Sequence, residues 1–309
     1  MADKAREQTD EKLEEMEKRL TAIYSRAHKE IGQAWTEYLE ESGKEIEELQ
    51  KEYEAAKKSG DRDEIKKLGK KLQRAKKERT ILNKRFRDIL TQTAEQISRA
   101  NETAVAYING ELPEIYSLNY NAIADSVDGL GGYSFTLVDQ NTVRNLIMSD
   151  ESLLPLKEID TGRDIRWNTK KLNAEILQGI LQGEEMSKIA ARLSKVEKMN
   201  EDAAIRNART MVTSAECKGR QDSYVRAKKD GIILVKYWIY THDSRVRDWH
   251  RKAGIDYSRQ NAIDVDDFFI VNGETMLNPG DNMNGAKGHN LYNCRCSMGS
   301  RVVGFRRVE

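Results

Sequence analysis

Few prolines interrupt this chain, few cysteines could staple it, and no long apolar run could carry it through a bilayer. Three prolines in 309 residues leave room for long helices, because each proline removes a backbone donor and crowds the preceding turn. The three cysteines, Cys217, Cys294 and Cys296, form a small, odd set. That argues against a disulfide framework and for a reducing compartment. No apolar stretch approaches the roughly 20 residues a spanning helix needs, so no membrane partner is expected. The charged N-terminal region also lacks the hydrophobic core of a cleaved signal. An excess of one charge sign is missing as well: 52 Lys and Arg stand against 51 Asp and Glu. Near-neutrality argues against a dedicated nucleic-acid coat while allowing local patches.

What is plentiful is charge itself, at 33% of residues, a mix suited to long solvated helices. The length allows two or three domains. In residues 1–110, Leu13, Met16, Leu20, Ile23, Ala27, Ile31, Ala34 and Tyr38 recur at three- and four-residue steps, a coiled-coil-like stripe. It weakens near Ser42-Gly43, resumes at Ile46, Leu49, Tyr53 and Ala56, and breaks at Ser59-Gly60-Asp61. There glycine suits the left-handed position after a helix. A second stripe follows: Ile65, Leu68, Leu72, Ala75, Leu82, Phe86, Ile89, Thr93, Ile97. Residues 1–55 carry 9 basic and 16 acidic side chains, and residues 56–100 carry 15 basic and 6 acidic. An acidic arm folded on a basic one satisfies both, although exposed pairs contribute only about 0.2–1 kcal/mol each and the apolar seam must supply most of the stability. Arms of about 45 helical residues reach roughly 70 Å. Trp35, Tyr38, Tyr53 and Phe86 are large anchors for either the seam or a partner.

Residues 111–231 are predicted as a helical body. Gly129, Gly131 and Gly132 mark a loop, with short helices over Asn141–Met148 and Leu153–Ile159. Leu172, Ile176 and Ile180 carry a helix closed by Gly183. Met186, Ile189, Ala190 and Leu193 carry another, and Asn200 is a plausible N-cap for a third that ends at Asp230-Gly231. From 232 to 309 the period changes. Ile232–Tyr240 reads as a strand, Arg245–Ala253 as a short helix, and Tyr292–Met298 as a last strand. Asn272-Gly273 between Phe268–Val271 and Thr275–Leu277 is a strong hairpin signal, and Asn278-Pro279-Gly280-Asp281 fits a type II turn. The predicted fold class is mainly α, with a long N-terminal helical hairpin (1–110), a helical body (111–231) and a small α+β C-terminal unit (232–309).

The chemistry-bearing residues crowd into the last quarter. Cys294 and Cys296 lie two apart on the expected last strand, so both thiols share a face. With His250 and His289 they could form a tetrahedral Cys2His2 zinc site that staples a small domain. The plainer alternative is two half-buried thiols and two hydrogen-bonded histidines. Asp243, Arg245 and Arg247 follow the strand bearing Trp238, and an Asp–Arg pair ordering that turn is preferred over a catalytic acid. His250 and His289 with Asp264, Asp266 and Asp267 also permit a metal-dependent nuclease, but their spacing matches no recognised nuclease motif. Arg206, Lys218, Arg220, Arg226, Lys228 and Lys229 could touch DNA phosphates in a salt-dependent way. With Arg209 and Lys236, they face only five acids across residues 201–236, and a self-paired helix face accounts for them more simply.

The ordered set Ala208-Arg209-Thr210, Trp238, Asp243, Arg245, His250, Phe268 or Phe269, Pro279 and Asn293-Cys294-Arg295-Cys296 resembles the Mu F-like phage head morphogenesis, or minor head, family. Gly179, Gly183 and Ile189-Ala190 ahead of it fit as well. The likeness covers about residues 165–300; residues 1–110 agree only as a helical lead-in. Many members have Cys-x-x-Cys where this chain has Arg247-Asp248-Trp249-His250, so one family sulfur is absent here and His250 stands for another. The resemblance implies a low-copy virion component, made with portal and scaffold in the host cytoplasm and associated with portal, capsid proteins and in some cases DNA. It implies an assembly factor and not an enzyme, in which Arg209 and Thr210 pack and cap against the C-terminal unit. The alternatives are a metal-dependent nuclease or toxin-like hydrolase at His250 and His289, and a nonspecific DNA-binding module.

Overall fold

The structure is a computed structural model describing residues 3–78, 84–128, 130, 141, 143–144, 158–182, 184 and 186–306. The expected loop at Gly129, Gly131 and Gly132, most of the two short helices near 141–159, Leu82 and the helix stop at Gly183 lie outside those residues. The helices are α1 (Lys4–Ser59), α2 (Arg62–Glu78), α3 (Lys84–Val127), α4 (Thr161–Leu181), α5 (Met186–Lys229), α6 (Asp248–Asp256) and α7 (Gly288–Leu291). The strands are β1 (Ile232–Ile239), β2 (Ile263–Asp264), β3 (Phe269–Val271), β4 (Glu274–Met276) and β5 (Ser297–Phe305). The fold is thus mostly helical, with long N-terminal helices and a small strand-containing C-terminal part.

Two compact units emerge, each discontinuous in sequence: residues 1–20, 104–158 and 203–309 form one, and residues 21–103 and 159–202 the other. This partition cuts across the linear blocks read from periodicity, because α1, α3 and α5 are long enough to supply residues to both. The weak point at Ser42-Gly43 does not interrupt α1, since the stripe resumes one turn later. Nor does α3 end near residue 110: it continues through Pro113 to Val127.

The second unit is a helical cluster. Ile31, Trp35 and Tyr38 of α1 pack with Phe86, Leu90, Ala94 and Ile97 of α3, Leu172 and Ile176 of α4, and Ile189, Leu193 and Val196 of α5. Each fully buried large side chain contributes about 1.5–3 kcal/mol. Trp35 lies edge-on to Phe86 and donates Nε1–H to Thr93 Oγ1 at 2.9 Å. Trp35, Tyr38 and Phe86 therefore serve the seam. α1 also meets α2, with Glu45, Glu48 and Glu52 facing Lys71 and Arg74 around Leu49 and Ala75. A buried polar layer locks the register of four helices. Tyr24 donates to Asn101 Oδ1 at 2.6 Å, and Asn101 Nδ2 donates to Asp164 and Asn200. Asn200 Nδ2 in turn reaches Asn168 Oδ1 and Val196 O. Asn200 is accordingly not an N-cap: it sits inside the 44-residue α5. Its amide is consumed by tertiary partners, and the two predicted helices on either side of it are one.

In the first unit, Gly231 (φ +88°) ends α5 and starts β1. Along β1, Ile232, Leu234, Lys236 and Trp238 turn inward. The sheet order is β2-β1-β5, antiparallel, with Ile239 opposite Ser297 and Ile232 opposite Phe305. β3 and β4 form a separate hairpin through Asn272 (φ +52°) and Gly273 (φ +77°), the double positive φ of a type I′ turn. The last strand begins at Ser297 and not at Tyr292, because the carbonyls of Cys294 and Arg295 accept from Thr213 and Thr241 side chains and so make no ladder. Similarly, α6 starts three residues later than the spacing suggested.

Candidate functional site

The core of the C-terminal part is a buried knot around one imidazole. α6 carries His250 inward, and the turn at Asn293 (φ +59°) aims Cys294 and Cys296 back toward it. His250 Nδ1 lies 3.3 Å from Cys296 Sγ and 3.6 Å from Cys294 Sγ. Among the described residues these three form a group whose ligand atoms all fall within 4.8 Å of one another. The hydrogen bond from Cys296, aided by His250, holds the Cys294 thiol well below its ordinary range. The same contact, together with burial, pushes Cys296 up. Such an arrangement of soft and imidazole donors suits a thiophilic metal.

The ring of His250 is held from behind. Its Nε2 faces Asn290 Oδ1 at 3.3 Å, and the same oxygen accepts from Trp249 Nε1 at 2.7 Å. Asn290 is itself oriented, donating to Val271 O and Glu274 Oε2. His289, the other histidine of the expected metal set, lies outside the group. Its side chain is 48% exposed, with Nε2 3.6 Å from Glu274 Oε1 and 3.4 Å from Asn272 Nδ2. The structure thus brings together three of the four expected ligands. It also separates the two histidines of the hydrolase reading and leaves His250 only 1% exposed, beyond the reach of a phosphodiester.

The remaining motif residues are anchors. Arg209 grips Glu17 with Nε and Nη2 at 2.6 and 2.8 Å, and its Nη1 reaches Asn293 Oδ1. Thr210 Oγ1 accepts from Asn293 N–H at 2.8 Å. Asp243 pairs chiefly with Arg295, at 2.6 Å, and only secondarily with Arg245, at 3.7 Å. Burial opposes its ionisation, yet the Arg295 hydrogen bond leaves its carboxyl below the usual range. Asp281 accepts from the backbone N–H of Leu277 and Met283, closing the turn at Pro279. Gly280 (φ +84°) lets that turn lie on α5, where an added Cβ would stand 3.0 Å from Ser214 Cα.

Most of the residues expected to meet DNA are engaged internally. Lys218 pairs with Asp222, Arg226 with Asp230, and Lys228 with both Asp264 and Asp266. Arg220 is 1% exposed, so it is a core residue and not a phosphate contact. Only Arg206 and Lys229 of the set are exposed without an ion pair among the described residues. Lys236 belongs to the interior too. Burial pushes its pKa down to about 7, while Nζ donates to Val265 O, Leu277 O and Gln221 Oε1. Its place was legible in the inward phase of β1 (Ile232, Leu234, Trp238), a signal that outweighs the local count of basic residues.

No solved structure matches the chain. Over 130 residues the chain is 28% identical to the NAD(+)–arginine ADP-ribosyltransferase EFV of Enterococcus faecalis (strain ATCC 700802 / V583), a match covering 42% of this chain and 25% of that protein. The chain thus spans about a quarter of that relative's length. Residues 170–299, which contain the knot and its anchors on α5, match the model of the family described as Phage Mu protein F like protein, and over that stretch the chain is similar to that family.

Proposed function

We propose that this chain is a minor head protein that acts in capsid assembly by adhesion, docking on the portal and inner head surface and travelling into the virion. The observation that carries the reading is the family match, together with the way the matched stretch uses its polar residues. Arg209, Thr210, Asp243, Asp281 and Asn293 all bind partners within the chain, as expected of a rigid module displayed to other proteins. No helix among the described residues is long and apolar enough to cross a membrane. DNA contact is a minor part of the proposal, limited to Arg206 and Lys229. The test is affinity capture of the portal from infected cells and mass spectrometry of purified particles. The chain is expected in both, and its repeated absence from both defeats the reading.

A second reading draws on the ADP-ribosyltransferase relative and makes this chain part of an NAD-consuming system. Release of nicotinamide from NAD+ by the purified chain, dependent on an arginine acceptor, would favour it. No turnover above a buffer blank counts against it.

A further inference from the structure

The three-residue knot has a geometry that a hydrogen-bonded cluster does not need. One lone pair on His250 Nδ1 faces two sulfurs, at 3.3 and 3.6 Å. A thiol proton satisfies one of them; a cation between all three atoms satisfies both at once. With zinc–sulfur bonds of about 2.3 Å and zinc–nitrogen bonds of about 2.0–2.1 Å at tetrahedral angles, nitrogen-to-sulfur edges come to about 3.6 Å. Two further features agree. Asn290 Oδ1 accepts from His250 Nε2, which leaves Nδ1 unprotonated and aimed at the thiols, the outer contact that metal-bound histidines characteristically make. The buried Trp238 indole, 2% exposed as a residue, turns its Nε1–H toward the Cys296 sulfur. A coordinated thiolate there is a stronger acceptor for that donor than a neutral thiol.

We propose that His250 Nδ1, Cys294 Sγ and Cys296 Sγ are three corners of a zinc site, with Asn290 as its orienting residue and a non-protein ligand at the fourth corner. His289 is not a ligand: it is held by Glu274 and lies outside the three-residue group. Binding displaces the thiol protons to solvent, because zinc takes cysteine as thiolate. The metal ties α6 to the segment ahead of β5 in a part of the chain with only short strands and helices.

The experiment uses the full chain, expressed with zinc, passed through gel filtration with a chelator, and assayed for metal. One zinc per chain is expected in the wild type and in His289→Ala. Cys294→Ser and His250→Ala should lose it, and Asn290→Ala should weaken binding about 10- to 100-fold. In case these variants fail to fold, cobalt is titrated into metal-free wild type, where a thiolate-to-cobalt charge-transfer band is expected. Wild type without bound zinc and without that band overturns the proposal. So does full zinc occupancy in a Cys294→Ser/Cys296→Ser double variant, or its loss in His289→Ala.

Discussion

Replacing Arg220 by methionine tests how the first unit is held together. The guanidinium is 1% exposed. Its Nε donates to Asn119 Oδ1 at 2.9 Å, its Nη1 donates to Met298 O at 3.0 Å and to Asp3, and Glu216 Oε1 lies 3.5 Å away. Methionine fills much of the volume but leaves Glu216 as an uncompensated buried charge. Losing one partner of a buried pair costs about 3–5 kcal/mol, and the orphaned acceptors on Asn119 and Met298 lie within that range. A loss of about 4 kcal/mol at neutral pH is therefore expected. Two internal checks follow. Burial already raises the Glu216 carboxyl above its ordinary range, with Arg220 the main opposing influence. A raised folded-state pKa costs stability above the unfolded value, and the cost fades as pH falls and the carboxyl protonates. The deficit of Arg220→Met should therefore shrink from pH 7 toward pH 5. Adding Glu216→Gln should return about 2 kcal/mol, because a neutral amide can still accept from Ser297. Urea denaturation followed by tryptophan fluorescence and far-UV circular dichroism reads all three quantities. A single variant that loses less than about 1 kcal/mol, or a double variant no better than the single, refutes the reasoning.

Gly280→Ala forces a side chain into the left-handed region and against Ser214 Cα; it should cost about 1–3 kcal/mol, seen as an earlier thermal midpoint. Lys236→Met should lose about 1–3 kcal/mol at pH 7, since Leu277 O and Gln221 Oε1 lose their donor. The wild-type lysine titrates near 7 when folded and at its ordinary 10.5 when unfolded, so the unfolded chain holds the proton more tightly between those values. Wild-type stability should rise with pH through that window. In Lys236→Met that rise should disappear, and a parallel pH profile for the two proteins would contradict the assignment.

How much was legible varies by element, and the reasons are physical. The break at Gly60, the stop at Gly231, the Asn272-Gly273 hairpin and the turn closed by Asp281 were all readable, because each is set by the dihedral preference of one or two residues. The seam anchors Trp35, Tyr38 and Phe86 were readable as large apolar residues, but whether they faced inward or toward a partner was not. Asn200 misled as a cap because short polar side chains are equally at home at a helix start and in a buried amide network; only the approach of Asn101 and Asn168 decides between them. The segment 292–296 looked like strand by composition, yet Thr213 and Thr241, distant in sequence, took its carbonyls.

Local chemistry alone determined the helical class, the change of period after Gly231, the tight turns and the short list of chemistry-bearing residues, since those depend on near neighbours along the chain. Tertiary structure alone decided partnership. It gave His250 to Cys294 and Cys296 and His289 to Glu274, paired Asp243 with Arg295 before Arg245, and turned Arg220 and Lys236 from surface charges into core struts. Partnership of that kind rests on distances between residues tens to hundreds of positions apart, and on whether water is excluded around them, and both arise only once the helices and the sheet have packed.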